Sequence, residues 1–168
     1  ANLINADLRG ANLTGVNLTN ANLTNADLRG ANLRDANPTN SNMSDSNLYG
    51  VTLRDANLFG ANLERTFLRG ANLTGANFYT VNLSEASLSE ANLTAVNLYG
   101  ANLTNADLTG SKLFLANLAL ANLTGANLTG ANLEGAVLTG AILTGAVLKG
   151  SILTDAVLTD ANLADARR

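Results

Sequence analysis

Cysteine, histidine and tryptophan are absent from this 168-residue chain. Without Cys there is no disulfide framework. Without Cys or His there are no customary zinc ligands and no Ser–His or Cys–His nucleophile pair. No catalytic, metal-binding or cofactor-binding residue is expected. Charge is sparse as well. Ten Lys and Arg stand against 13 Asp and Glu, a net of −3. That is too little basic excess for a nucleic-acid partner and too little acid for a solvating tail. No apolar run approaches the roughly 18 residues of a membrane-spanning helix. Proline and methionine occur once each, as Pro38 and Met43, and aromatics make up 4% of the chain. No initiator Met and no signal-peptide pattern precede Ala1, which already stands in repeat register, so the chain reads as a mature or excised piece.

What is present is a repeat of five. From Leu3 to Leu163 every fifth residue is a repeat centre; 30 of these 33 positions are Leu and the others are Pro38, Met43 and Phe78. Two residues before each centre stands a small residue, usually Ala, and between them mostly Asn. All 15 glycines fall two residues after a centre, and Gly, Asn or Asp fills 26 of those 33 positions. A period of five matches no helix; short fixed self-similarity marks a solenoid. In an extended segment the centre and the small residue face one way and the Asn faces the other. Leu and Ala therefore line an interior. Gly, Asn and Asp tolerate the left-handed backbone of a tight turn. Each pentapeptide is thus one short side plus one corner.

Coincidences at an offset of 20 set the number of sides. Asp7 and Arg9 recur as Asp27 and Arg29, Arg34 and Asp35 as Arg54 and Asp55, and Phe59 as Tyr79 and Tyr99. Four sides make one coil. About eight coils of 20 residues, stacked at ~4.8 Å, span roughly 40 Å.

The tandem A-[N/D]-L-x-x, as in residues 121–135, resembles the pentapeptide repeat family over essentially the whole chain. The resemblance implies an all-β fold, a right-handed quadrilateral parallel β-helix forming one domain over residues 1–168, similar to many chains from cyanobacteria. It also implies a non-enzymatic scaffold or interaction module. Some members inhibit DNA gyrase by resembling B-form DNA; they carry acidic stripes, a C-terminal dimerisation segment and sometimes a protruding loop, none of which is visible here. The compartment is open between the cytoplasm and, after loss of a signal peptide, a periplasm or thylakoid lumen.

Sorted by position within 20, the sides differ. Side one (residues 1–5 of each coil) carries five charges, side two (6–10) ten, side three (11–15) seven and side four (16–20) only Asp160. Side four also holds the ring column Phe59, Tyr79, Tyr99 beside the Asn column that includes Asn57, Asn77 and Asn97. Exposed aromatics on an uncharged surface favour interfaces. This strip is the candidate docking site for a protein or an edge-on sugar. A second candidate is the apolar patch Phe114, Leu115 and Leu120, at positions usually polar or Gly. The belt Val137, Ile142, Val147, Ile152 and Val157 replaces Asn at five consecutive sites, either as β-branched ladder packing or as an assembly surface. Residues 36–51, around Pro38, Ser41, Met43 and Ser46, are the most irregular stretch and read as a loosened coil or a kink.

Carboxylates stacked one coil apart, Asp7 over Asp27 and Asp35 over Asp55, have the spacing of a glycosidase pair. Arg neighbours make them a surface ion-pair ladder instead. Thr columns interrupted by Ile4 and Glu64 do not form an ice-binding array. The expected partner is a protein or a second copy of the chain. With Leu3, Leu8, Leu13 and Leu18 expected to be exposed in the first coil, and Leu158 and Leu163 in the last, a homo-oligomer joined end to end or through side four is expected.

Overall fold

The computed structural model describes residues 1–168. Its turning element is a four-residue turn repeated at every pentapeptide. In the first, Ala6 N donates to Leu3 O at 3.1 Å, and Asn5, the third turn residue, has φ 58°. The same bond and the same positive φ recur at every corner as far as Ala166 and Asp165. A positive φ at the third residue alone is the signature of a type II turn. The concentration of Gly, Asn and Asp at these corners follows directly.

Four turns bring the chain back over itself. The middle residue of each side pairs in parallel with the residue 20 further on, from Asn2 with Asn22 to Val147 with Arg167. Each side is only three residues long, so one pairing per side is all it can make. Three backbone bonds tie each side to the next coil. Leu23 N donates to Asn42 O (2.6 Å), Asn25 N to Ser44 O (3.1 Å), and Asn42 N back to Ala21 O (2.9 Å). The result is a four-sided solenoid with coils of 20 residues.

The ladder breaks at one place. Pro38 offers no N–H to Asn57 O, and the pairing of Asn37 with Asn57 is missing. The Thr39 hydroxyl lies 3.4 Å from that carbonyl. The turn after Pro38 stays closed, with Ser41 N to Pro38 O at 3.1 Å. In the backbone, the irregularity of residues 36–51 therefore amounts to a single lost ladder bond.

One apolar cluster of 48 buried residues runs along the axis, almost all Leu and Ala, with Phe78 fully enclosed. In the first coil Leu3, Leu8 and Leu13 are half-buried, and Leu18, expected to be exposed, is buried, three sides further along the rising chain than Leu3. Leu158 and Leu163, likewise expected to be exposed, are half-buried. Inward positions that carry a hydroxyl mostly return it to the preceding corner carbonyl, as Ser46 Oγ to Met43 O (2.6 Å) and Thr66 Oγ1 to Leu63 O (2.7 Å). Ser41 Oγ and Ser111 Oγ are buried with no partner.

Two stability outcomes follow. An unpaired buried hydroxyl costs about 1–3 kcal/mol, so Ser111→Ala should stabilise by about 1 kcal/mol. Ser46→Ala, which removes a satisfied hydroxyl, should gain nothing; urea melts compare the two. Leu73→Asp should cost several kcal/mol by placing an unpaired carboxylate in the core, read as loss of the cooperative transition.

Candidate interaction surface

The outward Asn residues are local connectors before they are surface. A type II turn leaves the N–H of its second residue pointing out. Asn22 Oδ1 accepts that N–H from Thr24 (3.1 Å) and also the Thr24 hydroxyl (2.6 Å). The same closure recurs at Asn102 with Thr104 and at Asn122 with Thr124. The Asn-x-Thr triplet is therefore an Asx closure of the corner. That role was hidden in the sequence, although the recurrence of the triplet was its signal.

The free amide groups then link coils. On side four Asn77 Nδ2 donates to Asn57 Oδ1 (2.9 Å), Asn97 to Asn77 (3.2 Å) and Asn117 to Asn97 (3.2 Å). Side one has a matching ladder from Asn42 to Asn102. Beside the side-four ladder the rings stack. Phe59 and Tyr79 have centroids 5.5 Å apart at 10°, and Tyr79 and Tyr99 5.1 Å apart at 7°. The six strip residues are thus brought together as one amide-and-aromatic column. The ring faces are turned on one another, and Tyr79, the middle ring, has a neighbouring ring on each face.

Phe114, Leu115 and Leu120 are not one patch. Phe114 and Leu115 occupy the corner between sides three and four, and Leu120 occupies the next corner, between sides four and one. They flank side four within coil six. Leu115 (55% exposed, φ 55°) and Leu120 (54%, φ 58°) hold the left-handed backbone that Leu disfavours. Each lies along the corner of the following coil. A Cβ at Gly135 would meet Leu115 Cδ2 at 2.7 Å, and one at Gly140 would meet Leu120 Cδ2 at 2.7 Å. The Val/Ile belt faces outward, with one residue on each successive side, so it rings the tube. Sequence reasoning passed over a further exposed pair, Tyr49 and Phe67, on side two. The signal was available, since both replace residues that are usually polar.

Charges cluster on the other sides, and between Asp7 and Glu90 all but Glu85 are paired. Arg9 binds Asp7 at 2.6 Å and reaches Asp27 at 3.8 Å; Arg29 binds Asp27 at 2.6 Å; Arg65 binds Asp45 at 2.7 Å and also Glu64. The Arg9 hydrogen bond lowers the Asp7 carboxyl to about 2. Asp27 and Asp45 are lowered too, by hydrogen bonds from Arg29 and Arg65. No three carboxylates converge as a metal site, and no pocket opens along the surface.

A family model of pentapeptide repeats matches the chain in eight copies, over residues 1–37, 21–58, 53–89, 76–113, 116–155 and 141–167. Among solved structures the chain is similar to HetL, a pentapeptide repeat protein involved in heterocyst differentiation regulation from the cyanobacterium Nostoc sp. strain PCC 7120. The identity is 34%, with 98% of this chain and 88% of that one covered and a TM-score of 0.59. It is also similar to a pentapeptide repeat protein from the Arabidopsis thaliana thylakoid lumen, at 35% identity over 58% of this chain and 72% of that one, TM-score 0.48. The plasmid-mediated fluoroquinolone resistance protein QnrB1 aligns at 14% identity over 93% of this chain and 90% of that one, TM-score 0.29. No protein with a curated description matches.

The ion pairs generate a pH dependence. The three carboxylates titrate lower in the fold than in the unfolded chain, where Asp titrates near ~3.9. Their contribution is complete above that value and is lost as pH falls towards about 2, the value of Asp7. Urea midpoints should hold steady from neutrality to about pH 5 and fall below about pH 4. Arg9→Gln with Arg29→Gln should flatten that fall. An equally steep fall in the double variant would refute the assignment.

Proposed function

The chain belongs to the pentapeptide repeat family, and on that premise we propose that it is a non-enzymatic scaffold whose side four docks a protein. We read the coil as a right-handed quadrilateral parallel β-helix and residues 1–168 as one domain. The observation that carries the functional reading is the uncharged side four. Phe59 (42% exposed), Tyr79 and Tyr99 stack along one of its edges, and the strained, exposed Leu115 and Leu120 close it at both corners. Neither Leu fills the core and neither suits its backbone; each lies against the Gly corner of the next coil and stays more than half exposed. Residues kept at a conformational cost concentrate at functional surfaces. The likeness to HetL, whose role is regulatory, supports binding as the activity.

The alternative is a DNA mimic that inhibits a topoisomerase. Such a mimic needs about one negative charge per ~1.7 Å of axis. The most acidic column here runs Asp7, Asp27, Asn47, Phe67, Ser87, Asp107, and its first two carboxylates are neutralised by Arg9 and Arg29.

Photo-crosslinking separates the readings. A photoreactive phenylalanine analogue in place of Tyr79 should give discrete protein adducts. The same group in place of Ser89 on side two should give none. Adducts from both positions alike, or from neither, would overturn docking on side four. A gyrase supercoiling assay should show no inhibition at micromolar protein, and inhibition there would favour the mimic.

A further inference from the structure

We infer that the tube has an opening built into it between coil two (residues 21–40) and coil three (residues 41–60). Coils one and two come away there as one unit, while the tube beyond stays closed.

The backbone marks the place. Leu23, Leu28 and Leu33 donate upward to Asn42 O, Asn47 O and Thr52 O, but on the fourth side Pro38 has nothing to give Asn57 O. No other neighbouring pair among the first eight coils lacks a ladder bond. The Thr39 hydroxyl is no substitute. It has one proton, and Asn37 Oδ1 lies at 2.5 Å against 3.4 Å for Asn57 O. Inside coil three, Ser41 Oγ is buried with no partner. Water reaches it once coil two lifts, so its unmet hydrogen bond also favours opening.

Side chains repeat the pattern. Coils one and two are tied by Arg9 to Asp27 (3.8 Å) and by Asn37 Nδ2 to Thr19 Oγ1 (3.2 Å). Coils three and four are tied by Arg65 to Asp45, by Asn62 to Asn42, by Asn77 to Asn57 and by the Phe59–Tyr79 stack. Between coils two and three no ion pair, no Asn–Asn bond and no ring contact crosses. The nearby pairs Arg34–Asp35 and Arg54–Asp55 stay within their own coils. Only Asn42 Nδ2 reaches over, to Thr24 Oγ1 at 3.0 Å.

The stability of a solenoid is a sum of coil terms and interface terms. A weak interface followed by a strong one lets coil two open almost as readily as coil one, and stops the opening at coil three. The edge uncovered there carries the row Met43, Leu48, Leu53 and Leu58 with the ladder groups beside it, a strand template that the closed tube conceals. Phe59, Tyr79 and Tyr99 all lie beyond the opening, so the side-four strip stays whole when it occurs.

Native-state hydrogen exchange of the full chain tests this, read at single amides. Leu8 and Leu13 donate from coil one, Leu28 and Leu33 from coil two, and Leu48 and Leu53 from coil three. The first four should share one opening, and the last two should exchange at least about tenfold more slowly. An even gradient of protection from coil one through coil three would overturn the opening, as would exchange of Leu28 and Leu33 only on global unfolding. Two variants strengthen the interface by separate routes. Pro38→Leu restores the missing donor, and Ser41→Ala removes the unpaired hydroxyl. Each should slow Leu28 and Leu33 severalfold, up to about tenfold (~1.4 kcal/mol), and leave Leu8 and Leu13 as they were, because opening of coil one alone does not break this interface. If neither variant slows Leu28 and Leu33, or if both slow all four amides alike, the assignment fails.

Discussion

Everything in this molecule depends on one backbone constraint, a left-handed residue at every fifth position. With φ held between 53° and 68° at each corner, the chain turns once per pentapeptide and closes a coil in four. The corner carbonyl and the amide three residues on are consumed by the turn itself. Of the remaining backbone groups, the amide of the second turn residue points outward and most of the others face along the axis, where the neighbouring coils meet them. Insertion of one residue anywhere would rotate all later Leu residues out of the core. The uninterrupted register from Leu3 to Leu163 is what such a constraint demands.

The interior and the outer surface answer to that constraint separately. Inside, Leu and Ala alternate in columns, so each coil buries its own layer against the layers above and below. Outside, Asn does two jobs at once. Its carbonyl closes the corner, and where its amide group is free it links to the Asn one coil before. In the Val/Ile belt these jobs lapse. Val137 cannot accept the Thr139 amide, and β-branched side chains stabilise the ladder by packing instead. An Asn column and a Val column are therefore two solutions to the same site, one polar and directional, the other apolar and local.

Much of this was legible in the residues. Period, coil length, the inward Leu and Ala, the stacked Phe59–Tyr79–Tyr99 column and the ion-paired Asp7 and Asp27 all follow from alternation and from matches at 20. Less legible were features set at corners, where alternation no longer assigns a direction. Phe114, Leu115 and Leu120 form one cluster in sequence, yet Leu120 lies a full side away. The orientation of the rings was equally hidden, because sequence places them one coil apart without saying whether face or rim points outward. Pro38 looked more disruptive than it is. It costs one donor, and closure of a turn needs the carbonyl of that position, which proline keeps.

The distribution of strained corners carries the last step. Corners that are neither Gly, Asn nor Asp number seven, and all fall between Arg65 and Leu120, in coils four to six. Ion pairing accounts for some of them. Arg65 meets Asp45, and Glu90 meets Arg69. Leu115 and Leu120 have no such compensation, and Thr80, β-branched in the left-handed region, gains only a bond from its hydroxyl to Tyr79 O. In contrast, the corners from Gly125 to Gly150 are all glycine, the least strained choice at that φ. A solenoid is modular, so each coil could have taken the cheap corner at no cost to its neighbours. The middle coils depart from it where the aromatic column and the flanking leucines stand. Local rules broken together, in one stretch of three coils, mark the part of a repeat protein shaped by something other than its own folding.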